Sequence, residues 1–188
     1  FLISMVLVSY LVYSMLSIES GFMNKTILPA LGIEPISWYN EPKYWPIIIT
    51  LVHTWKGAGY SCIIYLAAII GIDPEYYEAA KLDGASKMQQ IRTITIPLIT
   101  PVIIMLTLLA IGRIFYSDFG LFYQVPMNAG ALFSTTNVID TYVFRGLLQL
   151  GNIGMSSAAG FYQSLVGFVL VIVSNYVVRK INKENALF

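Results

Sequence analysis

The chain has 188 residues, of which 57% are apolar and 11% charged, with 11 basic against 10 acidic side chains and a net charge of +1; its mean hydropathy is +0.71. Soluble domains carry about 25% charged and 45–50% apolar residues, so this composition excludes disorder, collagen, coiled coil and an ordinary soluble enzyme, and points to a chain solvated largely by lipid. One His and one Cys cannot build a metal site or an internal disulfide, Cys62 reads as a buried thiol, and the balanced charge offers no footprint for nucleic acid.

The first element is an uncharged run over residues 1–18, FLISMVLVSYLVYSMLSI. It lacks the basic start and small-residue cleavage site of a signal peptide, and with no initiator Met the chain reads as the C-terminal part of a longer protein. Eighteen residues of helix reach roughly 27 Å, close to the hydrocarbon thickness, so the run is expected to span. Three further runs, 46–71, 98–115 and 155–178, are each long enough to cross. None alternates like a barrel strand, so the expected architecture is an all-α integral membrane protein with four spans and outer loops over 19–45 and 116–154. Gly57 with Ser61, Ala67 with Gly71 and Gly160 with Ser164 set small residues four apart, a spacing that permits close helix approach.

Orientation follows from the basic residues. Lys81, Lys87, Arg92, Arg179, Lys180 and Lys183 lie on one side, against Lys25, Lys43 and Arg145 on the other. The excess places segment 72–97 and the C-terminus in the cytoplasm. Trp38, Tyr39, Tyr44 and Trp45, with Tyr116, Phe119, Phe122 and Tyr123, would then form an outer aromatic belt.

Segment 72–97 reads IDPEYYEAAKLDGASKMQQIRTITIP and carries seven charges. Asp73 and Pro74 supply an N-cap and first helical position, with Glu75 and Glu78 near the positive end of the helix. Gly84 suits the left-handed residue that ends this helix, and Ser86 with Gln89 forms a capping box for a second one. The prediction is helix, Gly hinge, helix, on the cytoplasmic face.

The wording of that loop is specific. Glu78-Ala79-Ala80, three residues, Gly84, nine residues, then Ile94-x-Ile96-Pro97 resembles the EAA motif (EAA, x3, G, x9, I-x-L-P) of the permease subunits of binding-protein-dependent ABC importers, with Ile96 where Leu is usual. GIEPI around Ile33, NVIDTYVFRGLLQLGN and the ending VVRKINKENALF are similar to MalF-like oligosaccharide permeases of the LplB type. The resemblance implies one type I importer transmembrane domain over 1–188, holding the last four of about six spans, in a bacterial plasma membrane. It implies that the EAA loop is a coupling helix seated on a separate ATPase, with Glu78, Ala79, Ala80, Gly84, Ile94 and Pro97 as coupling residues. The implied partners are a second permease, two ATPase subunits that hold ATP and Mg, and an extracellular or periplasmic solute-binding protein. The cargo implied is carbohydrate, though the EAA loop alone permits another solute. No G-x-x-x-x-G-K-[ST] is present, so the phosphate cradle for ATP chemistry belongs to another chain and no cofactor is expected in this one.

Candidates for the substrate path come from the residues themselves. Lys56, near the middle of the second run, is costly in hydrocarbon unless it faces water, a partner or the bundle interior. Arg113, near an end of the third, either lines the path or snorkels; pairing with Asp118 or with a partner permease is the structural alternative. Tyr60, with His53, Trp55 and Tyr65, offers rings and hydrogen bonds to a sugar, or ordinary packing. In the outer loop, a capping pattern from Asn137 leads into a helix with Ile139, Tyr142, Val143, Leu147 and Leu150 on one face, suited to lining a vestibule or to sealing the bundle. An intramembrane enzyme is disfavoured: His53 and Cys62 are nine residues apart on one helix, roughly 13.5 Å of rise, too far for a hydrogen bond.

Overall fold

The computed structural model describes residues 3–181; Lys183 and the end of the similar C-terminal stretch lie outside them. The described residues form helices and turns with no strand. They divide into two compact units, Phe1–Gly57 with Tyr116–Tyr162 and Ala58–Phe115 with Gln163–Phe188. Six helices carry the architecture: α1 (Met5–Leu16), α2 (Trp45–Ile70), α3 (Pro74–Leu82), α4 (Lys87–Gly112), α5 (Ile139–Leu150) and α6 (Ile153–Ile181).

Three helical stretches, Pro42–Ile70, Lys87–Gly112 and Ile153–Lys180, are long and apolar enough to cross a membrane. The first apolar run behaves differently from the expectation over 1–18. Ser4 caps α1 by accepting the Leu7 N–H at 3.3 Å, and at Ser17 the backbone turns out of the helix while its N–H still reaches the Tyr13 carbonyl at 2.8 Å. The 12 residues between reach only about 18 Å at 1.5 Å per residue, short of the roughly 30 Å of hydrocarbon.

In the first unit, Val8, Val12 and Leu16 of α1 share a buried cluster with Trp45, Ile49 and Val52 of α2 and with Leu121, Val125 and Leu132. The spacing of three or four residues puts each set on one helical face. Segment 17–36 is fixed by the buried Asn24, whose amide donates to the Ser17 carbonyl at 3.1 Å and the Ile36 carbonyl at 3.0 Å and accepts the Ile36 N–H at 2.9 Å. Trp45 departs from the expected aromatic belt: it is wholly buried because the turns over 38–44 bring the Trp38 carbonyl within 2.7 Å of its indole N–H. Tyr39 packs on it with ring centroids 5.1 Å apart. Burial, with a smaller contribution from Tyr13, holds the Tyr39 phenol far above the usual tyrosine range.

In the second unit α4 and α6 come close at Gly112, where an added Cβ would lie 2.6 Å from a methyl of Val171. The buried Gln163 amide donates to the Phe115 carbonyl at 2.6 Å. The expected small-residue contacts are not the close ones here: a Cβ added at Gly57 or Gly160 would meet nothing within 4 Å. Cys62 is exposed rather than buried, as are Tyr60, Ile63 and Leu66 beside it. Such apolar faces are stable only against lipid or another chain.

Candidate functional site

The connection between α2 and α4 is built almost wholly by local chemistry. Asp73 caps α3 by accepting the Glu75 N–H at 3.0 Å, and Pro74 occupies the first helical position, where no N–H is required. At the other end Gly84 has φ +78°, so the chain reverses through a left-handed residue. The Ala85 N–H returns to the Ala80 carbonyl at 2.9 Å and the Gly84 N–H to the Lys81 carbonyl at 3.0 Å. These are the two bonds of a Schellman closure. Ser86 and Gln89 then cap α4 reciprocally: the Ser86 N–H donates to the Gln89 side chain at 2.7 Å, and the Gln89 N–H to the Ser86 hydroxyl at 3.4 Å.

Pro97 does not end the second helix. It deprives the Thr93 carbonyl of its helical donor and crowds it. The chain answers by widening into a π turn over Ile91–Thr95, in which the Ile96 N–H bonds to the Ile91 carbonyl. The helix that starts at the capping box thus continues through Ile94 and Pro97 into the apolar stretch, which begins at Lys87 rather than at residue 98. A side-chain bond ties α3 to this π-bulged start: the hydroxyls of Tyr77 and Thr95 lie 2.9 Å apart. The buried Gln90 donates from its amide to the carbonyl of Ala85, in the turn that follows Gly84, at 3.0 Å.

Glu78, Ala79 and Gly84 are exposed, Ala80 and Ile94 half-buried, and Pro97 exposed; all six sequence-predicted coupling residues sit on this one tied projection. Sequence reasoning passed over the residues that stiffen it, Tyr77, Gln90 and Thr95. It also passed over Leu82, which stands 90% exposed at the tip. A leucine in an otherwise polar helix was the available signal. Beside α3 lies a groove of about 540 Å³, lined by Ile69, Ile72 and Ile91 together with Glu78, Lys81 and Lys87.

The residues proposed for a path are not gathered in the same way. Lys56 is half-buried and Tyr60 exposed on α2, in different units. Arg113 ends α4 as an exposed C-cap. Asp118 is occupied locally, its carboxylate accepting the Leu121 N–H at 3.0 Å, and among the described residues no ion pair joins it to Arg113. His53 and Trp55 are exposed and Tyr65 half-buried; Trp55 lines an apolar groove of about 460 Å³ with Leu11 and Leu51.

The outer helix α5 also differs from its sequence pattern. Asn137 is not its cap: the Thr141 hydroxyl takes that place, accepting the Val138 N–H at 3.1 Å, while the Asn137 side chain accepts from Arg145. The predicted apolar face turns outward, with Ile139, Tyr142 and Leu147 all exposed; the Leu150 side chain lies outside what the structure describes. Inward go Thr141, fully buried, and Phe144, whose ring meets Phe119 at 4.7 Å and Tyr123 at 5.1 Å. The Asp140 carboxylate accepts the Ser117 N–H at 2.8 Å.

A family model described as binding-protein-dependent transport system inner membrane component matches residues 1–183. The chain belongs to this family. It is an integral membrane protein, and the inner membrane component has the all-helical transmembrane fold of an ABC transporter permease. A chain of the bacterial alginate ABC transporter, solved in complex with an alginate pentasaccharide-bound periplasmic protein, superposes with TM-score 0.88 at 34% identity over 97% of this chain and 62% of that one. The polygalacturonan/rhamnogalacturonan transport system permease protein YteP of Bacillus subtilis is 37% identical over 96% of this chain and 56% of its own length. Protein LplB of the same organism is 31% identical over 97% and 56%. The chain therefore spans little more than half the length of these curated relatives.

Proposed function

We propose that this chain belongs to the permease subunit of an ATP-driven ABC importer for oligosaccharides in a bacterial plasma membrane, and that α3 is its coupling helix. The observation that carries the reading is a short helix closed at both ends, held to the adjoining apolar helix by Tyr77–Thr95 and by the turn that Gln90–Ala85 braces, with Glu78, Ala79 and Leu82 left exposed. A body of that kind moves as a unit. When a separate ATPase closes on ATP, force on α3 passes through these bonds into α4 and through residues 70–73 into α2, the coupling that alternating access needs. Ala79 and Ala80 keep one face flat enough to seat in a protein cleft, and Glu78 adds a polar contact.

The carbohydrate cargo is supported by the relatives, whose names refer to polygalacturonan, rhamnogalacturonan and alginate. A second permease would cover the exposed apolar faces of α2 and α6. ATP and Mg would be held by the two ATPase subunits, hydrolysis is theirs, and a solute-binding protein would deliver the sugar. On the path itself the reading rests on Lys56, Tyr60 and Arg113; Asp118 is accounted for as a turn cap.

The test is purification of the full-length tagged protein from its native membrane in mild detergent, with mass spectrometry of what accompanies it and cross-linking from Leu82 to its neighbours. An ATPase cross-linked through Leu82, together with a second permease, is the expected result. Absence of any ATPase after cross-linking would overturn the importer reading. Lys56→Met is expected to alter sugar uptake, and unchanged half-saturation and rate would remove Lys56 from the path.

A further inference from the structure

Resting on the oligosaccharide reading above, we infer that the pocket beside α5 is a subsite for one acidic sugar residue, with Arg145 taking the carboxylate. The pocket has a volume of about 290 Å³ and is lined by Phe133, Asn137, Tyr142, Arg145, Gln149 and Met155. That is the small end of the roughly 300–1,000 Å³ range of ligand sites, the scale of a single ring rather than a chain.

Its α5 residues Tyr142, Arg145 and Gln149 follow the three- and four-residue spacing of one helical face. Gly146 lies between them, where a Cβ would come within 2.7 Å of the terminal methyl of Met155; the floor of the pocket depends on the missing side chain. Phe133, Tyr142 and Met155 offer the apolar surface on which the C–H faces of a pyranose rest. Asn137 and Gln149 supply amides of the donor and acceptor type that hydroxyls need.

Arg145 gives the site its sign. Arg145 is half-buried as a residue; its guanidinium lies 4.1 Å over the Phe133 ring and donates to Asn128 at 3.0 Å, to Thr141 at 3.4 Å and to Asn137. Every one of these acceptors is neutral. Among the described residues no ion pair within 4 Å is made by Arg145. Asp140, the other charge on α5, stands five residues away, roughly 140° around the helix, and its carboxylate accepts the Ser117 N–H at 2.8 Å. The cation is therefore held rigidly but not neutralised. A guanidinium has five N–H donors, which leaves donors for a carboxylate, and the fixed fork spares the ordering cost of binding.

The test uses the complete transporter with its binding protein in proteoliposomes, and as probes trigalacturonate, its methyl ester and the neutral maltotriose. Arg145→Lys is expected to raise the half-saturation concentration for trigalacturonate roughly tenfold, the scale of one charge-assisted hydrogen bond, and to leave that for the ester within twofold. Because Arg145 also ties Asn128 to Asn137, a second variant guards against misfolding: Gln149→Glu, at an exposed position, sets a like charge in the pocket and should weaken acid uptake selectively. An acid-to-ester ratio unchanged in both variants would overturn the subsite and leave Arg145 a structural staple. Wild-type transport of maltotriose but of neither galacturonate would overturn the acidic cargo while the importer reading stood. Failure to import any sugar by an assembled, ATP-hydrolysing complex would overturn the carbohydrate reading itself.

Discussion

Two helices outside the apolar stretches, α3 and α5, are built on opposite plans. α3 is capped at both ends by residues of its own segment, held to α4 by Tyr77–Thr95, and leaves Glu78, Ala79 and Leu82 exposed. α5 buries Thr141 fully and sends Arg145 to Asn128, which lies 17 residues back. One presents side chains for something else to grip; the other is stiffened by what it grips. The contrast teaches where function resides: in exposed side chains on α3, and in a pocket wall on α5.

The comparison breaks most severely at Gly84. At φ +78° a β-branched side chain costs roughly 1–2 kcal/mol or more, and two closing bonds go with the glycine conformation. Gly84→Val in the assembled transporter is expected to reduce transport-coupled ATP hydrolysis roughly tenfold or more, with the permease still inserted at normal abundance. Wild-type coupling in that variant would count against α3 as a rigid transmitter.

A smaller effect is expected at Gly146, whose Cβ would press on the flexible end of Met155, 2.7 Å away. Gly146→Val should destabilise the detergent-purified complex by about 1–2 kcal/mol, towards the low end for overpacking because the methionine can move. Its ATP hydrolysis per sugar transported should be unchanged, since α3 is untouched. If the Gly146 variant uncoupled as badly as the Gly84 variant, the two helices would not be the separate devices described here.

The same contrast explains what could be read from the chain alone. The caps of α3 depend on Asp73, Pro74, Gly84, Ser86 and Gln89, all within 17 consecutive residues, so sequence spacing reports them directly. The π turn was hidden because Pro97 reads locally as an end, whereas the chain keeps its helix by widening one turn. The inward face of α5 was hidden because it is decided by distant partners, Ser117 and Phe119, which draw in Asp140 and Phe144 against the apolar periodicity. Trp45 was misplaced for the same reason: the carbonyl that accepts its indole N–H comes from a loop residue, Trp38, and no hydrophobic pattern encodes that return. The exposure of Cys62 is a further feature that composition cannot express.

The smallest effect on the chain itself is expected at Leu82, and it sharpens the comparison furthest. A side chain 90% exposed has almost no apolar contact to lose, so Leu82→Ser should change the stability of the isolated permease by less than about 0.5 kcal/mol. Burial against a partner is another matter, since fully burying a leucine is worth about 1.5–3 kcal/mol, a factor of roughly ten or more in affinity. Titration of the purified permease with its ATPase should therefore show binding weakened by about that factor, beside an unaltered thermal unfolding curve. A variant that unfolded earlier would mean that Leu82 packs within its own chain. One that kept both stability and affinity would move the contact surface of α3 away from its tip, towards Glu78 and Ala79.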